Sequence, residues 1–231
     1  MEHHEWGWMI VVYLFLGGLG AGSMVLSSAA HFGRRGRYQG IARAGALLAP
    51  VLIGLGSGLL IFDLGSPLRF WRLFVTIQPS SPMSIGSWLL IGFSAVTSIY
   101  ALLQLPPSWL RAVAVRLPKM RSVFLTLAEW NKPAKVEVRA GGSRDRDQID
   151  VNFPHSPVGI RRLRSALAGI GIPLGLGVGI YTGVLLGAIP ARPFWNTPMV
   201  AQLFLFSAMS TAAALLMLVT PLVWKGDRSQ S

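Results

Sequence analysis

The chain has 231 residues, of which 52% are hydrophobic and only 13% charged, about half the usual charged share of a soluble domain. That composition and a mean hydropathy of +0.52 exclude a disordered chain and argue against an ordinary soluble globule. The absence of cysteine excludes disulfides and thiolate-ligated iron–sulfur clusters, and the net charge of +12 has to be located before it is read as a sign of nucleic acid.

Five stretches are apolar enough, over roughly 20 residues, to cross a bilayer as helices. They run Trp8 to Ala30, Ala44 to Phe62, Ile85 to Leu105, Ala166 to Pro190 and Met199 to Trp224, and none holds an internal charged residue or histidine. The expected fold is therefore all-α, an integral membrane bundle of five transmembrane helices. The flank before the first span carries Glu2 and Glu5 and no Lys or Arg, which is the reverse of a cleavable signal peptide.

In the first span Gly18 and Gly22, and in the second Gly54 and Gly58, are spaced four apart, a signature of closely packed membrane helices. The second span ends in Asp63-Leu64-Gly65-Ser66-Pro67-Leu68-Arg69-Phe70, and the third opens with Ser81-Pro82-Met83-Ser84-Ile85-Gly86-Ser87-Trp88. Residues 106–165 form a basic loop. Its stretch from Trp109 to Trp130 suits one amphipathic helix lying on the membrane surface. Its stretch from Lys132 to Asp150 mixes both charges and reads as flexible or partner-bound. The fourth span repeats glycine at 171, 175, 179, 183 and 187, a face that either packs closely on a neighbour or offers a smooth groove to a flat cofactor or isoprenoid tail. Pro50 and Pro173 lie inside spans and are expected to kink them. The organisation is thus a membrane region over 1–105, the loop over 106–165, and a membrane region with a short tail over 166–231.

Eighteen of the 21 Lys and Arg fall between spans one and two, between three and four, or after five. Only Arg69, Arg72 and Arg192 fall on the other side. The positive-inside rule then places the N-terminus outside and the C-terminus inside, and accounts for the charge by topology and anionic lipid without nucleic acid. None of the four histidines lies within a span, and His31 falls just past the first, so no di-haem anchor is expected.

Topology gathers Tyr13, Asp63, Arg69, Tyr181, Arg192 and Asn196 at the outer ends, with Trp88 beside them. Tyr181 lies about nine residues below the end of its span, roughly 13 Å at 1.5 Å per residue. Such residues suit a quinone headgroup, which needs hydrogen-bond donors at its two carbonyls and a group that passes protons. Each also has a plainer reading: Asp63 as a cap or a partner of Arg69, Tyr13 and Trp88 in an aromatic belt, Arg192 and Asn196 bracing a turn.

Taken with Tyr13 to Gly22, the Asp63 to Phe70 and Ser81 to Trp88 segments, and Tyr181-Thr182-Gly183 leading to Arg192-Pro193-Phe194-Trp195-Asn196, the sequence resembles the NrfD/PsrC family. These are the quinone-interacting membrane subunits of polysulfide reductase and related molybdoenzyme complexes. The resemblance covers all five spans but not the long loop. It implies a prokaryotic plasma-membrane anchor that binds menaquinone or ubiquinone at the outer side. It also implies a ferredoxin-like multi-cluster iron–sulfur partner subunit and, beyond it, a molybdopterin catalytic subunit. The family tyrosine matching Tyr181 contacts the quinone, an acid matches Asp63, and Tyr13 stands where polysulfide reductase has a quinone-contacting histidine. Family members carry eight or more helices, so a second membrane subunit is a further possible partner. Two other function classes fit the spans: a structural anchor without quinone chemistry, and a small membrane transporter.

Overall fold

The computed structural model describes residues 8–33, 38–63, 82–131, 157–187 and 199–228. The described residues are helical: α1 (Trp8–Phe32), α2 (Gln39–Asp63), α3 (Pro82–Gln104), α4 (Pro107–Arg116), a 3₁₀ turn (Pro118–Met120), α5 (Arg121–Trp130), α6 (Val158–Gly187) and α7 (Met199–Arg228). Five of them, α1, α2, α3, α6 and α7, are long and apolar enough to span a membrane.

Helix is the form such sequences must take, because hydrocarbon offers no partner to a bare backbone N–H or C=O. Several threonine hydroxyls within the spans bond back to their own helix, while Ser27 Oγ of α1 donates across to Ala42 O of α2. Thr97 Oγ1 donates to Phe93 O at 2.9 Å, Thr182 Oγ1 to Val178 O at 2.6 Å and Thr211 Oγ1 to Ser207 O at 2.8 Å, each within its own helix.

The helix α1 is the hub. The helices α2, α6 and α7 pack on it directly, and α3 bridges α2 and α6. Small residues permit this closeness. A Cβ at Gly22 would lie 2.7 Å from Ala208 O on α7, and one at Gly45 would lie 2.7 Å from Ser23 O on α1. At its four described positions the glycine face of α6 is filled by protein: Gly171 and Gly175 meet Met24 and Val25 of α1, while Gly179 and Gly183 meet Leu205 and Ala201 of α7. In α2 the expected glycine pair does not carry the packing. Gly54 and Gly58 face open space, and Gly45 and Gly56 make the contacts with α1.

Two expectations about boundaries need correction. The helices α2 and α6 start at Gln39 and Val158, several residues before the apolar runs at Ala44 and Ala166. A hydropathy test stops at charge, but arginine is a good helix former, so the helix continues through Arg43 and Arg161 to Arg164. His31 likewise lies in the last turn of α1 and not beyond it. The single surface helix expected over Trp109–Trp130 is two short helices, broken at Pro118, whose ring clashes with the preceding turn. These two fold on each other around Leu110, Ala114, Phe124 and Ala128. Pro50, Pro173 and Pro221 sit inside continuous helices.

Candidate functional site

One end of the bundle joins the start of α1, the end of α2, the start of α3 and the end of α6. Tyr13 is half-buried on the second turn of α1, its carbonyl oxygen 3.3 Å from where a Cβ on Gly56 would stand. Tyr181 is half-buried on α6, six residues, about 9 Å at 1.5 Å per residue, before that helix's last described residue. Tyr13 and Tyr181 are close enough to interact electrostatically, which brings two phenols from opposite ends of the sequence into one place.

What fixes Tyr181 is a glycine on a third helix. The phenol lies directly on Gly86 of α3, where a Cβ would overlap its Cζ and Oη. Ser84, two residues earlier, is buried, and Ser87 Oγ donates to Ser84 O at 2.9 Å. Three helices thus converge on two phenols, each of which can donate or accept a hydrogen bond.

The structure does not bring every expected residue to this place. Trp88 is 45% exposed and, two positions from Gly86, points away from the phenols, as a belt residue would. Asp63 is the last residue of α2, at the same end, although only its backbone is described. Arg69, Arg192 and Asn196 lie outside the described residues. Gly86 is the residue that sequence reasoning passed over. It stands in the motif that opens the third span, and its lack of a side chain was the signal.

The opposite end holds a second polar group. Arg164 of α6 is buried and donates to Asn131 Oδ1, and Asn131 Nδ2 donates to Leu105 O at 3.0 Å. Asn131 follows α5 directly, so this pair ties the α4–α5 hairpin to the bundle. His31 Nε2 and Ser165 Oγ are 3.3 Å apart, and the His31 ring meets Tyr100 edge-on at 6.2 Å.

Comparison with known proteins agrees with the architecture. The family described as "Polysulphide reductase, NrfD" matches residues 1–231. The chain is 33% identical over 208 residues to a component of the polysulfide reductase of Wolinella succinogenes, covering 89% of this chain and 55% of that one. It is 27% identical over 216 residues to a component of the selenate reductase of Mesobacillus selenatarsenatis, covering 94% and 48%. It is 28% identical over 226 residues to protein NrfD of Escherichia coli, covering 92% and 58%. The chain therefore spans about half the length of the curated relatives it matches. No solved structure matches it significantly. With five described helices long and apolar enough to span a membrane and a family match over residues 1–231, the chain is a multi-pass membrane protein of the prokaryotic type and belongs to the NrfD family.

Proposed function

We propose that this chain is the quinone-reactive membrane anchor of a reductase complex, with its site at the tyrosine end. The observation that carries this is the placement of Tyr181 on Gly86, with Tyr13 at the same end and near enough to interact with it electrostatically. The names of the relatives, which make them components of a polysulfide reductase and a selenate reductase, support an anchor role.

A bound menaquinone or ubiquinone would supply the two-electron, two-proton chemistry that this chain's own side chains lack. The residues present fit such a headgroup. Tyr181 and Tyr13 offer donors to carbonyl oxygens, and the apolar walls of α1, α3 and α6 suit its ring and tail. Asp63 is assigned the proton relay to the outer water. An acidic residue at the end of a membrane span is a functional-site candidate by default. Arg69, Arg192 and Asn196 are assigned to the rim of the site, and Trp88 to its lipid-facing border.

The positive-inside rule puts the tyrosine end outside. The electron partner, a ferredoxin-like subunit with several iron–sulfur clusters, then docks outside and leads to a molybdopterin catalytic subunit. The decisive variant is Tyr181→Phe in the whole complex. Loss of quinol-linked turnover with normal assembly is the expected result. Unchanged turnover would leave a structural anchor without quinone chemistry as the better account. Mass spectrometry of the complex, purified in mild detergent, tests the two partners.

A further inference from the structure

At the end opposite the phenols, a cavity of about 260 Å³ opens between the end of α1, the starts of α2 and α6, and the end of α3. Arg43 of α2, Arg161 and Arg164 of α6 and His31 of α1 line it, together with Gln104 and Asn131. The described residues that line it include no Asp or Glu. Arg43 and Arg164 are close enough for their charges to repel each other. Arg164 is only 7% exposed and is held in position through Asn131. Because α2 and α6 both begin here, the positive ends of two helix dipoles add to the same field.

Three arginines lining one cavity, with no acid among its described lining residues, suit an anion. From this geometry we infer a binding site for a phosphate ester, supplied by the headgroup of an anionic phospholipid. Guanidinium groups match phosphate oxygens in pairs, and basic pockets between membrane helices suit such headgroups. The surroundings fit the lipid source. Phe32, Leu102 and Leu163 are exposed at this same end, 55%, 41% and 43% respectively, and offer apolar surface to acyl chains. The site lies apart from the tyrosine end and does not depend on quinone chemistry.

The test is titration of the detergent-purified full chain, with any co-purifying subunits, against phosphatidylglycerol, phosphatidylcholine and inorganic phosphate. Native mass spectrometry reads bound lipid, and thermal denaturation reads its effect. Phosphatidylglycerol is expected to be retained and to raise the midpoint, with phosphatidylcholine having little effect. The double variant R43Q/R161Q, which spares buried Arg164, is expected to bind phosphatidylglycerol about tenfold more weakly. R43K/R161K is expected to recover part of the loss, and R116Q/R121Q, on the exposed α4–α5 surface, to bind normally. Stabilisation by inorganic phosphate equal to that by phosphatidylglycerol would support the anion site but overturn its lipid source. Equal binding of the two lipids, or undiminished phosphatidylglycerol binding by R43Q/R161Q, would overturn the site itself.

Discussion

Gly86→Ala isolates the positioning of Tyr181 from its chemistry. The added methyl would occupy the place of the phenol's Cζ and Oη, so the ring must swing away or α3 and α6 must part. Because the obstruction is the far end of a side chain, rotation is the easier response. Overpacking of this kind typically costs about 1–3 kcal/mol. Against that, alanine gains about 0.5–1 kcal/mol over glycine inside a helix. The net loss of stability is then roughly 0–2.5 kcal/mol, too little to prevent assembly. Gly92→Ala on the same helix, where a Cβ meets nothing within 4 Å, keeps the gain without the clash and serves as the control. Losing one hydrogen bond to the headgroup amounts to about 0.5–1.5 kcal/mol, and a lost proton-transfer role costs more, so quinol turnover in G86A should fall about tenfold or further. The double variant G86A/Y181F should turn over no more slowly than Y181F, since both act through one hydroxyl. The assay is quinol-linked reduction by the purified complex, normalised to intact complex. Turnover in G86A equal to that in G92A, or losses in the double variant that simply add, would refute the reasoning.

Other outcomes follow from the packing and the termini. Gly45→Ala, whose Cβ would stand 2.7 Å from both Ser23 O and Ser27 Cβ, should lower the thermal midpoint in detergent through a cost of about 1–3 kcal/mol. Gly54→Ala, in open space, should leave that midpoint unchanged or raise it. Asn131→Ala removes the tie between the α4–α5 hairpin and the bundle and should cost about 1–3 kcal/mol, read as a lower midpoint and faster proteolysis of the hairpin. Orientation is open to a direct assay because the chain has no cysteine. Ser108→Cys on exposed α4 should react with an impermeant thiol reagent only from the cytoplasmic side, and labelling from outside would reverse the topology.

The spans were legible because a charge-free apolar run has few other fates, but their ends were not. Arg43 and Arg164 continue helices whose hydropathy signal has already stopped, since helix formation and membrane burial respond to different properties of the same side chain. The break between α4 and α5 was announced by Pro118 and hidden by the even mixture of apolar and basic residues on either side. Topology alone placed Tyr13 and Tyr181 at one end of the bundle. That Tyr181 rests on Gly86 while Trp88 is exposed depends on how α3 is rotated against α6, which no local pattern encodes. The arginines of the opposite end counted toward orientation in the sequence. Only the packing of α2 and α6 around α1 shows three of them sharing one cavity.

Quinone binding between α1, α3 and α6 at the tyrosine end is the proposal on which the assigned function rests. Photolabelling of the purified complex with a photoreactive quinone analogue, followed by peptide mapping, tests it most directly. Label is expected on the segments carrying Tyr13, Gly86 and Tyr181, suppressed by excess unmodified quinone. Label confined to the arginine-lined end, or absent from this protein while the complex remains active, would contradict it.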